Sequence, residues 1–139
     1  MHFALGVAMA LTAVVNTAMA GPNTPIAPVL MPQAQTVEQY AREYFAGAPV
    51  MIEIARCESR FRQFDKDGSV HRGTVNNKDV GVMQINEFYH RKAADKLEVD
   101  IYTIEGNLSY AKYLFEKEGT TPWLSSSPCW GKENHIARR

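Results

Sequence analysis

The sequence predicts a mainly α, compact helical domain with at most a small β element and one long loop. Three observations carry this. Apolar residues recur at helical spacing in several stretches between residues 36 and 119. Capping residues, prolines and glycines bound those stretches. No strand-rich region and no internal repeat interrupts them. Hydrophobic residues make up 45% of the 139-residue chain, enough for a core, and 15 acidic residues cancel 15 basic ones. A neutral balance without a basic stripe points away from nucleic acid and toward an uncharged or mixed partner.

The elements follow in order. "FALGVAMALTAVV" is an apolar run shorter than the roughly 20 residues a membrane span needs. "AMA" at 18–20 supplies a small-x-small cleavage pattern, so residues 1–20 read as a signal peptide. No Lys or Arg precedes the run, which leaves an uncleaved anchor as the alternative. "GPNTPIAPVLMPQAQ" places Pro22, Pro25, Pro28 and Pro32 in a Pro-rich linker over 21–35, a spacing that forbids helix. A folded domain is expected over 36–130, followed by a polar tail over 131–139.

Within the domain, Thr36 is a candidate N-cap for a helix whose stripe is Val37, Tyr40, Ala41, Tyr44 and Phe45. Gly47 ends it, and Pro49 suits the first turn of the next. That second helix carries Met51, Ile54, Ala55 and Glu58 on one face and is expected to stop around Phe61–Phe64. Residues 65–80, polar and glycine-bearing, form the long loop or a small hairpin. "GVMQINEFYHRKAADKL" leads from a glycine turn into a helix with Ile85, Phe88, Tyr89, Ala93 and Leu97 near register. "TIEGNLSYAKYLFEKEG" has Ile104, Leu108, Ala111, Leu114 and Phe115 on one face and Gly119 as its stop.

Glu58 is the residue that most invites a chemical reading. A carboxyl continuing an apolar stripe is desolvated, desolvation raises its pKa, and a proton held near neutral pH makes a general acid. Glycosidic oxygens need such an acid before they leave. The plain alternative is a solvated glutamate at a helix end. If the chain is exported, Cys57 and Cys129 form the only intramolecular bridge available, otherwise two free thiols. Closing that loop is worth about 4 kcal/mol on a chain-entropy estimate.

"CESRF" at 57–61, "DVGVMQIN" at 79–86 and "GNLSYAKYL" at 106–114 occur in that order. Together they resemble the catalytic domain of the soluble lytic transglycosylases, in the lysozyme-like superfamily, over about residues 50–130. Glu58-Ser59 matches the family's Glu-Ser motif. Gly81-Val82-Met83-Gln84 matches its Gly-Leu-Met-Gln with Val for Leu, and the helix with Asn107 and Tyr113-Leu114 matches its third motif. The resemblance implies a lysozyme-like fold and Glu58 as sole acid and base on peptidoglycan glycan strands. It also implies sugar or cleft contacts from Ser59, Met83, Gln84, Asn86, Asn107 and Tyr113, and no cofactor. "TPWLSSSPCW" departs from the family pattern, and Trp123 and Trp130 are the candidates to replace the lost aromatic contacts.

Asp79 stands where animal-type lysozymes, with a similar Gly-x-x-Gln-Ile-Asn stretch, carry a second catalytic carboxylate. A hydrolytic lysozyme using Glu58 and Asp79 is therefore the alternative, and a silent glycan-binding module is the reading from another class. Plainer roles stand beside these: Gly81 as a turn, Met83 and Tyr110 as core, Ser59 as an orienting partner, Asn107 as a helix N-cap. His71, His90 and His135 lack metal-ligand spacing and read as surface residues, and "DKDGS" at 65–69 lacks the ligands of a calcium loop, so no metal is expected. The partners expected are glycan strands alone: no nucleic acid, a membrane only if the signal stays uncleaved, and a monomer.

Overall fold

The computed structural model describes residues 34–132. The expected signal peptide, the linker up to residue 33, and residues 133–139 of the expected tail, with His135, lie outside the described residues. The architecture is mainly α: helices α1 (Val37–Tyr44), α2 (Pro49–Ser59), α3 (Glu87–Lys96), α4 (Ile104–Glu118) and α5 (Ser127–Trp130), with a 3-10 turn over Thr121–Ser126 before α5. Strands β1 (Asp79–Val80) and β2 (Ile85–Asn86) pair antiparallel, Asp79 opposite Asn86 and Val80 opposite Ile85. No described helix is long and apolar enough to cross a membrane.

Local chemistry explains the ends of these elements. Thr36 and Gln39 form a reciprocal capping box at α1, the Gln39 N–H donating to Thr36 Oγ1 and the Thr36 N–H to Gln39 Oε1. Pro49 sits in the first turn of α2, where its missing N–H has no partner to lose. The second helix ends at Ser59, short of the expected Phe61–Phe64. Arg60 (φ 56°) and Phe61 (φ 59°) are both left-handed, which breaks the helix at once. The Arg42 guanidinium lies over the Phe61 ring, 5.3 Å from its centre. Thr103, not Asn107, caps α4 by accepting from the Gly106 N–H, and Gly119 (φ 61°) ends it.

The core gathers Ala41 from α1 and Phe45 at its C-cap, Met51, Ile54 and Ala55 from α2, and Leu108, Tyr110, Ala111 and Leu114 from α4. Val80, Val82, Met83 and Ile85 of the ribbon complete it beneath Trp123 and Trp130. Fully burying one such side chain contributes about 1.5–3 kcal/mol. The stripe expected on α3 is corrected: Phe88 and Tyr89 are 75% and 74% exposed, Leu97 is exposed too, and Ile85 belongs to β2. The inward face of α3 carries Ala94 and Ala93 against the core, flanked by polar groups with dedicated partners. Glu87 receives both Arg72 guanidinium nitrogens (2.9 and 3.2 Å) and the Tyr102 hydroxyl (2.9 Å), while His90 Nδ1 meets the Tyr110 hydroxyl at 3.2 Å.

The long loop is tied down at several points. Bridges join Phe64 to Val70 and Arg72 to Val80, and Arg72 reaches from the loop to Glu87 on α3. Cys57 on α2 and Cys129 on α5 are joined by a disulfide, 72 residues apart in sequence and 6.0 Å between Cα atoms. A bridge of this kind persists in an oxidising compartment.

Candidate functional site

Four residues, Gly81 to Gln84, connect the two strands, and their backbone is held by side chains from four separate segments. The Val82 N–H donates to Gln63 Oε1 at 2.9 Å, and the Val82 carbonyl accepts from Ser59 Oγ at 2.8 Å. The Met83 N–H donates to Asn107 Oδ1 at 2.8 Å, and the Met83 carbonyl accepts from the Trp123 indole N–H at 2.9 Å. Asn107 spends its two amide hydrogens on the carbonyls of Val80 and Ile101, and Gln63 donates to the Tyr102 carbonyl. Both amide side chains are wholly buried, at 0% exposure, so only this full pairing makes them tolerable in the interior. Gly81 is required by space and conformation together. Its φ is +72°, and an added Cβ would lie 2.5 Å from Asn107 Nδ2 and 2.6 Å from Gln63 Oε1.

Gln84, the last residue of this turn, lines a cleft of about 340 Å³. Glu58 enters from the end of α2, Asp79, Gln84 and Asn86 from the ribbon, and Tyr89 and His90 from α3. Leu114 and Glu118 of α4 and the segment from Thr121 to Ser125 close the remaining side. Successive positions on α2 divide the labour: Glu58 is half-buried at the cleft while Ser59 turns into the core. Gln84 is held in a left-handed conformation (φ 50°) with its amide donating to the Gly81 carbonyl at 2.9 Å. A non-glycine residue there carries strain, which fixes the turn's outer corner at the cleft.

The Glu58 carboxyl is raised above the ordinary glutamate range, first by burial and further by the negative charge of Asp79. The Ser126 hydroxyl, donating to Glu58 Oε1 at 2.5 Å, opposes that rise. Asp79 has its own support: Oδ1 accepts from the Asn86 amide at 2.7 Å and from the Asn76 amide at 3.3 Å. Asn86 also caps α3 through its Oδ1, so one residue fixes the helix start and the carboxylate. Burial pushes the His90 imidazole below its ordinary value, with the Glu118 charge opposing. The cleft therefore holds one carboxyl biased toward its neutral form beside a second that is fixed by amides.

Of the residues singled out in the sequence, Glu58, Asp79, Gln84 and Asn86 come together at the cleft. Four others take different places, and their expected sugar contacts are corrected. Met83 is buried within the turn, and Asn107 and Ser59 are buried against it and hold it. Tyr113 lies off the cleft, its ring against Tyr110 and its hydroxyl accepting from Lys117, because the next position, Leu114, faces the cavity. Trp123 also lines the cleft, at only 3% exposure, whereas Trp130 is buried away from it; their indole N–H groups bond to the Met83 and Trp123 carbonyls. The exposed aromatic at the rim is Tyr89. His71 and His90, expected at the surface, are half-buried, His71 pairing with Asp65 at 2.8 Å.

Sequence reasoning missed Gln63, Ser126 and Tyr89. Nothing in "SRFRQF" separates a buried glutamine from a solvated one, and Ser126 is one of three consecutive serines. One signal existed for Ser126. A bridge from Cys57 to Cys129 must bring residues near Cys129 close to Glu58. Among the described residues, no group of His, Cys, Asp and Glu side chains could hold a metal ion.

The fold and cleft define a mainly α domain whose cleft is lined by Glu58, Asp79 and Glu118 beside a polar-pinned hairpin. Compared with known proteins, the chain matches no family model, no curated protein and no solved structure.

Proposed function

We propose that this chain is an exported enzyme of the lysozyme-like superfamily that cleaves peptidoglycan, acting as a lytic transglycosylase through Glu58. The observation that carries the reading is the state of Glu58: a half-buried carboxyl at a cleft, raised by burial and fixed at one oxygen by Ser126. A group in that state holds its proton to higher pH than a solvated glutamate and can aim its other oxygen at a substrate. The ordered motifs "CESRF", "DVGVMQIN" and "GNLSYAKYL" supply the substrate class. Export to an oxidising envelope or exterior suits the Cys57–Cys129 bridge.

Glu58 first gives its proton to the oxygen linking N-acetylmuramic acid to N-acetylglucosamine. The bond to the muramyl C1 breaks, its electron pair leaves with that oxygen, and positive charge builds at C1. The muramyl 6-hydroxyl then closes on C1, and its proton passes to the Glu58 carboxylate, restoring the acid. No water is consumed and a 1,6-anhydro product results. Gln84 and Asn86 face the strand across the cleft, and Tyr89 offers an open ring to a sugar at the rim.

A second reading has one observation in its favour: Asp79 lines the same cleft as Glu58. There it would stabilise the cation or bond to C1, and water would complete a hydrolysis. Mass spectrometry of muropeptides released from purified peptidoglycan separates these. Products lighter by one water than their reducing-end counterparts are expected. Reducing ends would instead make the chain a lysozyme with Asp79 as partner. Binding without any release would leave a glycan-binding module.

A further inference from the structure

Ser126 stands at a junction of three groups. Its Oγ lies 2.5 Å from Glu58 Oε1, 3.0 Å from the Trp123 carbonyl, and accepts from the Trp130 indole N–H at 3.0 Å. A hydroxyl has a single hydrogen, so it serves either the carboxyl or the carbonyl, never both. The indole N–H occupies a lone pair of Oγ and turns that hydrogen away from itself, toward the two acceptors. Trp130 is itself set by its neighbour Cys129, whose bridge runs to Cys57, the residue before Glu58. Hydroxyl and carboxyl are thus held against each other by one covalent link and one indole.

We propose that Ser126 is a positioning residue for Glu58, fixing Oε1 so that the exchangeable proton resides on Oε2 and rebalancing its own hydrogen bond when that proton leaves. This rests on Glu58 being the reactive group of the cleft, as proposed above. With Glu58 neutral, Oε1 is a carbonyl-type acceptor and the Ser126 hydrogen alternates between it and the competing Trp123 carbonyl. Once Oε2 gives its proton to a bound acceptor, the carboxylate draws the same hydrogen fully to Oε1. Nothing heavier than hydrogen has to move, and no proton passes through Ser126. The other titratable groups facing Glu58 are Asp79 from β1, His90 from α3 and Glu118 from α4, all lining the cleft. Of these, Asp79 acts on Glu58 directly, and it raises the carboxyl.

The test follows the Glu58 carboxyl by carbon-13 NMR titration in the full chain, with Ser126→Ala and Ser126→Thr beside the wild type. Alanine leaves the fold supported, because the Trp130 N–H keeps the Trp123 carbonyl at 3.1 Å. Removing a donor to the charged form moves the Glu58 midpoint upward by about one pH unit, and threonine restores it. The alkaline limb of kcat/KM moves the same way on any cleaved glycan. A merely structural role would lower stability and leave the midpoint in place. An unmoved or lowered midpoint in Ser126→Ala overturns the proposal. A raised midpoint in a chain that releases nothing from peptidoglycan would keep this assignment and sink the proposed activity.

Discussion

The hairpin turn at 81–84 and the carboxyl end of α2 lie side by side, share residues and solve opposite problems. At the turn, every polar group of Val82 and Met83 has one fixed partner, supplied by Gln63, Ser59, Asn107 and Trp123. At Glu58 the balance is left unequal: burial and Asp79 push the carboxyl toward neutrality while one hydroxyl opposes them. Full pairing fixes the turn, and the unequal balance leaves a carboxyl biased toward its neutral form. The same chemistry, hydroxyls and amides meeting backbone or carboxyl, is fully paired in one place and left unbalanced in the other. What separates them is whether a competing acceptor and an open cleft remain.

That contrast can be broken first at the turn. Asn107→Ala would strand the Met83 N–H and the Val80 and Ile101 carbonyls in the interior. Each buried group left without a partner costs about 1–3 kcal/mol, so the loss should reach about 5 kcal/mol in urea denaturation. A loss under about 1 kcal/mol would mean the turn does not depend on this side chain. Replacing Cys57 and Cys129 together by serine should cost about 4 kcal/mol on the chain-entropy model. Hydrogen exchange should then rise first over Thr121–Trp130, the segment the bridge holds to α2, and later over the turn. Equal loosening of both would deny them separate supports.

The smallest effect concerns Glu58 itself. Its carboxyl is raised in the folded protein, chiefly by burial, so the fold favours the neutral form. For an acid raised in this way, ionisation works against folding, and stability falls as pH climbs from the unfolded carboxyl range through the folded value. Glu58→Gln should therefore melt a few degrees higher than the wild type at neutral pH and equally in acid, where both carry a neutral side chain. A variant no more stable at neutral pH than the wild type would contradict the unequal balance. At the turn the opposite sign holds: no truncation should stabilise it.

Legibility in the sequence follows the same line. The caps at Thr36 and Gly119, Pro49, the stripes of α1, α2 and α4, and the Cys57–Cys129 pairing depend on local rules or on elimination between two cysteines, and they were readable. The mainly α class with a minimal ribbon was readable for the same reason. The α3 face was not, because only the small Ala93 and Ala94 meet the core while Glu87 and His90 beside them depend on partners, Arg72, Tyr102 and Tyr110, from elsewhere in the chain. In the cleft, Glu58 stood out because a carboxyl at an apolar register is unusual. Ser59 as an orienting partner was readable, whereas Asn107 as a helix cap was not, since a motif shows that a residue matters without showing which way it points. Gln63 and Ser126 were silent: their importance lies in long-range pairing that no spacing encodes.

The central claim is that Glu58 alone converts this rigid scaffold into a catalyst. It is tested most directly by giving purified peptidoglycan to the wild type and to Glu58→Gln, with the melting temperature of each recorded on the same samples. The variant should stay folded, melt no lower than the wild type, and release no muropeptides while the wild type does. A folded variant that releases them at the wild-type rate would contradict the account.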